Sequence, residues 1–184
     1  MAHHEFPFGD PIGFVRSVLL GHHTPDRWRG LAGVDRPARF VLGRLDEGWQ
    51  LVPLDDDSHV VVGPGGVFTL HTKRFDGKVW VSPTSVRHNG HPTRLVTRAA
   101  EAARQTSELL TTTLGRPVPV RSALVIIADC WTGRERPPDV FVGAPRGVRD
   151  WLLRQPVVLR PREVAEIAAT LQARSAWVAQ AASA

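Results

Sequence analysis

Short β-branched runs alternate along this chain with longer stretches of helical spacing, and the sharpest punctuation falls at residues 58–74. There Val60, Val61 and Val62 precede Gly63-Pro64-Gly65-Gly66, and Val67-Phe68-Thr69-Leu70 then alternates toward Lys73. Pro64 presets its own φ, and Gly65 and Gly66 supply positive φ. The block therefore predicts a hairpin with strands over 59–62 and 67–73. Period-two alternation places His71 and Lys73 on one strand face, with Ser58 near the start of the neighbouring strand.

The pattern on either side of the hairpin predicts the remaining elements. Residues 12–20 form an apolar island in a segment rich in Gly, Pro, His and Arg, which reads as a short helix in a loosely structured extension over 1–36. Pro37 suits the first turn of a short helix over 37–45. A strand over 49–54 leads into a loop at Asp55, Asp56 and Asp57. Asp76-Gly77 reads as a turn before a strand over 78–81, and Asn89-Gly90 as the tip of a small hairpin within 85–91. Residues 93–114 carry Leu95, Ala99, Ala102, Ala103, Leu109 and Leu110 at helical spacing, and Gly115 and Pro117 end that helix. Residues 118–128 are apolar enough to predict a central strand covered on both faces. A strand over 139–142 follows, then a helix over 146–154 with Trp151 and Leu152 inward. An amphipathic helix over 161–176 comes last, through Val164, Ile167, Ala168 and Leu171.

Helix, strand, hairpin, helix, strand, strand, helix is the order of a mixed sheet with helices on its faces. The fold class expected is α/β, of the mixed α+β kind. One domain over 37–155 is expected between the extension at 1–36 and a C-terminal helix and tail at 156–184.

Composition narrows the function classes. The chain has 184 residues and 42% hydrophobic content, enough for a real core. No apolar run approaches the roughly 18 residues of a membrane span. The N-terminus lacks a basic region followed by an apolar core, so a cytoplasmic protein is expected. A single cysteine, Cys130, excludes an internal disulfide or a cysteine-based zinc site. The pairs His3-His4 and His22-His23 make weak chelators, because adjacent side chains point apart on a helix or strand. Net charge is +5, which permits phosphate binding without demanding it. Of 23 Lys and Arg residues only Lys73 and Lys78 are lysines, so a lysine at 73 favours a role for a compact ammonium.

The hairpin block resembles the nuclease-related domain (NERD) family, a branch of restriction-endonuclease-like folds. The resemblance runs through His59, Val60, Val61, Val62, Gly63, Pro64, Gly66, Val67 and Phe68 to Lys73 and, more loosely, over residues 38–143. It implies a restriction-endonuclease-like core, a mixed central sheet with a hairpin flanked by helices. In such enzymes an Asp and a second acid hold Mg²⁺ against the scissile phosphate, and a Lys two residues past the second acid activates water. Mg²⁺ requires hard oxygen ligands, of which carboxylates are the main protein source.

This chain departs from that pattern at each acidic slot. Ser58 stands where the first Asp is expected, His71 where the acid before Lys73 is expected, and Arg39 near an upstream Glu slot. Lys73 remains, and Gln105 matches a helical Gln of the family. The resemblance thus implies a degenerate site of Lys73, His71, Ser58 and Gln105, with no cofactor expected. An active site would need Mg²⁺ held by migrated acids such as Asp56 or Asp76. The plainer alternatives are a solvated loop for the aspartates and a strand residue hydrogen-bonded to a neighbour for His71. Three functions stay open: an active DNA nuclease with migrated acids, a non-catalytic nucleic-acid-binding protein, and a protein-interaction module. The last would use exposed tryptophans among Trp28, Trp49, Trp80, Trp131, Trp151 and Trp177.

Overall fold

A computed structural model describes residues 43–55, 58–133 and 137–182. The strands are β1 (Gln50–Asp55), β2 (Ser58–Gly63), β3 (Gly66–Val81), β4 (Val86–His88), β5 (His91–Pro92), β6 (Val120–Thr132) and β7 (Val140–Gly143). The helices are α1 (Leu95–Leu114), which joins β5 to β6, then α2 (Pro145–Leu153) and α3 (Pro161–Ala182). The extension over 1–36, with its expected helix at 12–20 and its histidine pairs, lies outside the described residues, as do Arg39 and Asp56. Of the helix expected over 37–45, residues 43–45 are described and form turns, with Leu45 buried.

The sheet is mixed. β1, β2 and β3 form an antiparallel meander, whereas β3 pairs β6 and β6 pairs β7 in parallel. A parallel step cannot be made by a tight turn. Helix α1 supplies the crossover between β3 and β6, ending in Gly115 at φ 65°. The small β4–β5 hairpin extends the far end of β3, with Asn89 and Gly90 at positive φ as its turn requires.

Both faces of the near half of the sheet are covered. On one face Val52, Val60, Val62 and Val67 pack against Leu110 of α1 and against Val164, Ile167, Ala168 and Leu171 of α3. This face continues toward β4 through Val79, Val81, Leu124 and Ile126, which meet Ala99 of α1. On the other face Val61, Phe68, Leu70 and Val125 pack with Trp49 and with Val148 and Leu152 of α2. Each fully buried aliphatic side chain of this kind contributes about 1.5–3 kcal/mol. The four apolar positions of α3 thereby tie the C-terminal helix into the same core as β1 and β2.

Three details differ from the sequence reading. Asp76-Gly77 is not a turn between strands: β3 runs on for 16 residues, and the irregularity is a bulge between Phe75 and Lys78 against β6. In the central turn positive φ falls on Gly66 (122°) and not on Gly65. Gly65 is needed for space, since a Cβ there would meet Gln155 Cβ at 2.6 Å. The last helix continues to Ala182, beyond the expected end. Among the described residues no helix is long and apolar enough to cross a membrane.

Candidate functional site

Alternation along β3 sorts its side chains between the two faces. Val67 belongs to the core beneath α1 and α3, and Phe75 packs against the core beneath α1. Thr69, His71 and Lys73 lie between them in the same row. The β6 partners of His71 and Lys73 are Leu124 and Ile126, both buried in the core under α1. His71 and Lys73 therefore share the α1 face, as the two-residue spacing requires.

Ser58 is the antiparallel register partner of His71. Its Oγ and the His71 Nδ1 share a hydrogen bond of 2.9 Å, and Ser58 is buried. A hydroxyl and an imidazole are thus joined to each other at the positions where the family resemblance puts two carboxylates. His59, the motif residue next to Ser58, faces the other way: it is buried opposite Leu70, on the side covered by α2.

Lys73 opens into a depression of about 320 Å³ lined by Lys73, Phe75, Thr93, Arg94, Leu95 and Arg98. Among the described residues three cations border it and no carboxylate does. Arg94 and Arg98, four residues apart, stand at the start of α1, which Leu95 and Ala99 pack against the β3 side of the core as the crossover helix runs back along the strands it connects. The first turn of α1 holds no acidic residue, so the positive end of the helix adds to the field there. Arg74 points away, on the opposite strand face from Lys73. A larger hollow of about 490 Å³ lies elsewhere along α1 and carries both signs of charge, from Arg104, Glu108 and Asp139.

Gln105 lies seven residues past Arg98, on the same flank of α1, and is exposed. Its Nε2 donates to Glu101 Oε1 at 2.8 Å. Arg104 donates twice to the same carboxylate, at 2.9 and 2.6 Å. The hydrogen bonds from Arg104 and then from Gln105 hold the Glu101 carboxyl down to about 2. Glu101 is therefore engaged along the helix surface.

Asp76 is exposed at the β3 bulge, where its carbonyl oxygen accepts from His88 Nε2 at 2.7 Å. It is not among the residues lining the Lys73 depression. No group of three or more His, Cys, Asp or Glu suited to a metal ion occurs among the described residues. Ser58, His71 and Lys73 offer a hydroxyl, an imidazole and an ammonium, a donor set that does not fit Mg²⁺. Of the tryptophans, Trp49 is buried, Trp131 and Trp151 are half-buried, and Trp80 is 44% exposed. Trp28 and the Trp177 side chain lie outside the described residues.

The structure thus brings Ser58, His71 and Lys73 onto one face and leaves Gln105 bonded to its own helix. Sequence reasoning missed Arg94 and Arg98. Their spacing of four marks one helix flank, but only the crossover geometry shows that this flank meets Lys73. In comparisons with known proteins, no family model, no curated protein and no solved structure matches the chain.

Proposed function

We propose that this protein is a nuclease-related domain that holds nucleic acid by its phosphates and has lost Mg²⁺-dependent hydrolysis. The observation that carries this reading is the depression at Lys73, whose described lining brings Lys73, Arg94 and Arg98 together. Three converging cations suit a phosphate diester and repel Mg²⁺. Phe75 and Leu95 line the depression beside the cations. Each phosphate neutralised releases counterions, which drives binding at low salt. The Ser58–His71 hydrogen bond supports the loss of hydrolysis, since it occupies the slots where carboxylates are needed. A cytoplasmic location goes with this reading.

The test is a gel-shift titration of labelled duplex DNA at low salt, with a parallel cleavage assay in Mg²⁺. A complex is expected with the wild-type protein, and the Lys73→Ala, Arg94→Ala, Arg98→Ala triple variant should lose most of it. No cleavage should occur. Absence of any complex would transfer the weight to a protein-interaction role. Cleavage that Lys73→Ala abolishes would revive a working nuclease with acids from Asp56 or Asp76.

A further inference from the structure

The two halves of β3 are covered differently. Helix α2 packs over Phe68 and Leu70, Thr72 next on that face is still buried, and from Arg74 onward the face is exposed. Beyond the bulge, Val79 and Val81 point into the core under α1, and Lys78 and Trp80 point the opposite way. Trp80 pairs in register with Arg87 on one side and Thr132 on the other, and Lys78 pairs with Cys130. All five of these side chains are exposed. This end of the sheet therefore has one buried face and one open face, and the open face carries an indole.

The indole is flanked by positive charge. The Arg87 guanidinium lies 5.7 Å from the Trp80 ring centroid, a cation–π distance, and its Nη1 donates to Gly90 O at 3.5 Å. Lys78 lies two residues away on the same strand face, and Arg74 continues that face toward the near half of the sheet. Arg74 to Trp80 spans about 20 Å of strand. Among the described residues, Asp76 and Asp129 sit at the bulge, and Asp129 Oδ2 accepts there from Gly77 N at 3.2 Å.

We infer that the open sheet face around Trp80 binds single-stranded nucleic acid, stacking a base on the indole while Lys78, Arg87 and Arg74 take the backbone. The inference deepens the proposed function by naming the form of nucleic acid, and rests on it. An exposed aromatic ring on a sheet beside cations is the arrangement that holds unpaired bases, since any base can stack on it. Duplex DNA hides its base faces and gains nothing from the indole. The Trp80 face and the Lys73 depression lie on opposite faces of β3, so the two can be separated by mutation.

The experiment measures fluorescence anisotropy of a short labelled oligothymidine and of a duplex of equal length against wild-type protein and variants. Trp80→Ala should weaken oligothymidine binding by about 5- to 150-fold, the range that base stacking supplies. It should leave duplex binding unchanged, and Trp80→Phe should retain most of the affinity. The pair Lys78→Gln, Arg87→Gln should weaken oligothymidine binding several-fold, which keeps the test independent of how Trp80→Ala folds. Wild-type oligothymidine affinity in Trp80→Ala, or in the Lys78→Gln, Arg87→Gln pair, overturns the inference. If duplex binding is meanwhile abolished in the Lys73, Arg94, Arg98 triple variant, the proposed function survives that result. Failure of the wild-type protein to bind either DNA removes both.

Discussion

Ser58 and His71 face each other across the β2–β3 ladder with Oγ and Nδ1 2.9 Å apart. Each completes the other, and neither is a hard anionic ligand. Replacing Ser58 with Ala removes this hydrogen bond at a buried position and should cost about 0.5–1.5 kcal/mol of stability, read from urea unfolding midpoints.

Metal affinity gives a second test of the same pair. Calorimetry should find Mg²⁺ binding to the wild-type protein no tighter than to a generic acidic surface. The double variant Ser58→Asp, His71→Glu should gain affinity, because it places two carboxylates at facing register positions. Tight Mg²⁺ binding by the wild-type protein that disappears in Asp56→Ala would reverse this conclusion.

Salt dependence separates the two faces of β3. On duplex DNA, Lys73→Ala, Arg94→Ala and Arg98→Ala should each reduce the log–log salt slope by about 0.9, the value for one phosphate left without its cation. Arg74→Ala should leave the duplex slope unchanged, since its side chain lies on the other face. Equal effects at Arg74 and Lys73 would show that the charge acts diffusely and not through the depression.

The Glu101 carboxyl sets a pH window. Its ordinary value of 4.5 falls to about 2 through hydrogen bonds from Arg104 and Gln105. A depressed carboxyl contributes stability that is fully present above about pH 4.5 and lost as pH falls through about 2. The wild-type protein should melt above Glu101→Gln at pH 7, and the gap should close between those two values. A gap that persists unchanged at the acid end would mean that the carboxylate is not what holds Arg104 and Gln105.

Gly63 tests the packing beside the central turn. A Cβ at this position would lie 2.2 Å from the Trp49 ring, which packs against Phe68 with centroids 6.0 Å apart. Gly63→Ala should therefore destabilise the protein by about 1–3 kcal/mol, measured by thermal or urea unfolding. Combining it with Trp49→Leu should recover part of the loss by making room.

The hairpin was legible because its turn is written in residue types with fixed backbone preferences, and its register then follows from a buried face. The long crossover helix was legible from spacing, and α3 from Val164, Ile167, Ala168 and Leu171, all of which are buried. The continuity of β3 was not legible: Asp76-Gly77 has turn chemistry, and Gly77 does adopt positive φ (97°), but as part of a bulge held against β6. Only the partner strand distinguishes these outcomes. Arg94 and Arg98 were hidden for a similar reason, since their nearness to Lys73 depends on the path of α1. Trp80 stood among six candidate tryptophans and was not singled out, because alternation separates two faces without saying which one a helix will cover.

Val67 pairs with Val120 and Trp80 with Thr132, so β3 finds its parallel partner only after α1 has closed the loop between them. The β2–β3 hairpin needs nothing beyond its own tight turn and can pair early, whereas closure over the helix is the slow, entropically costly step. Lys73 travels with the hairpin, but Arg94 and Arg98 arrive with the helix. Local opening of α1 therefore dismantles the basic depression while the hairpin stays paired. Hydrogen exchange along α1 thus reports the lifetime of the assembled cation cluster, and a chain trapped before closure carries the lysine without its companions.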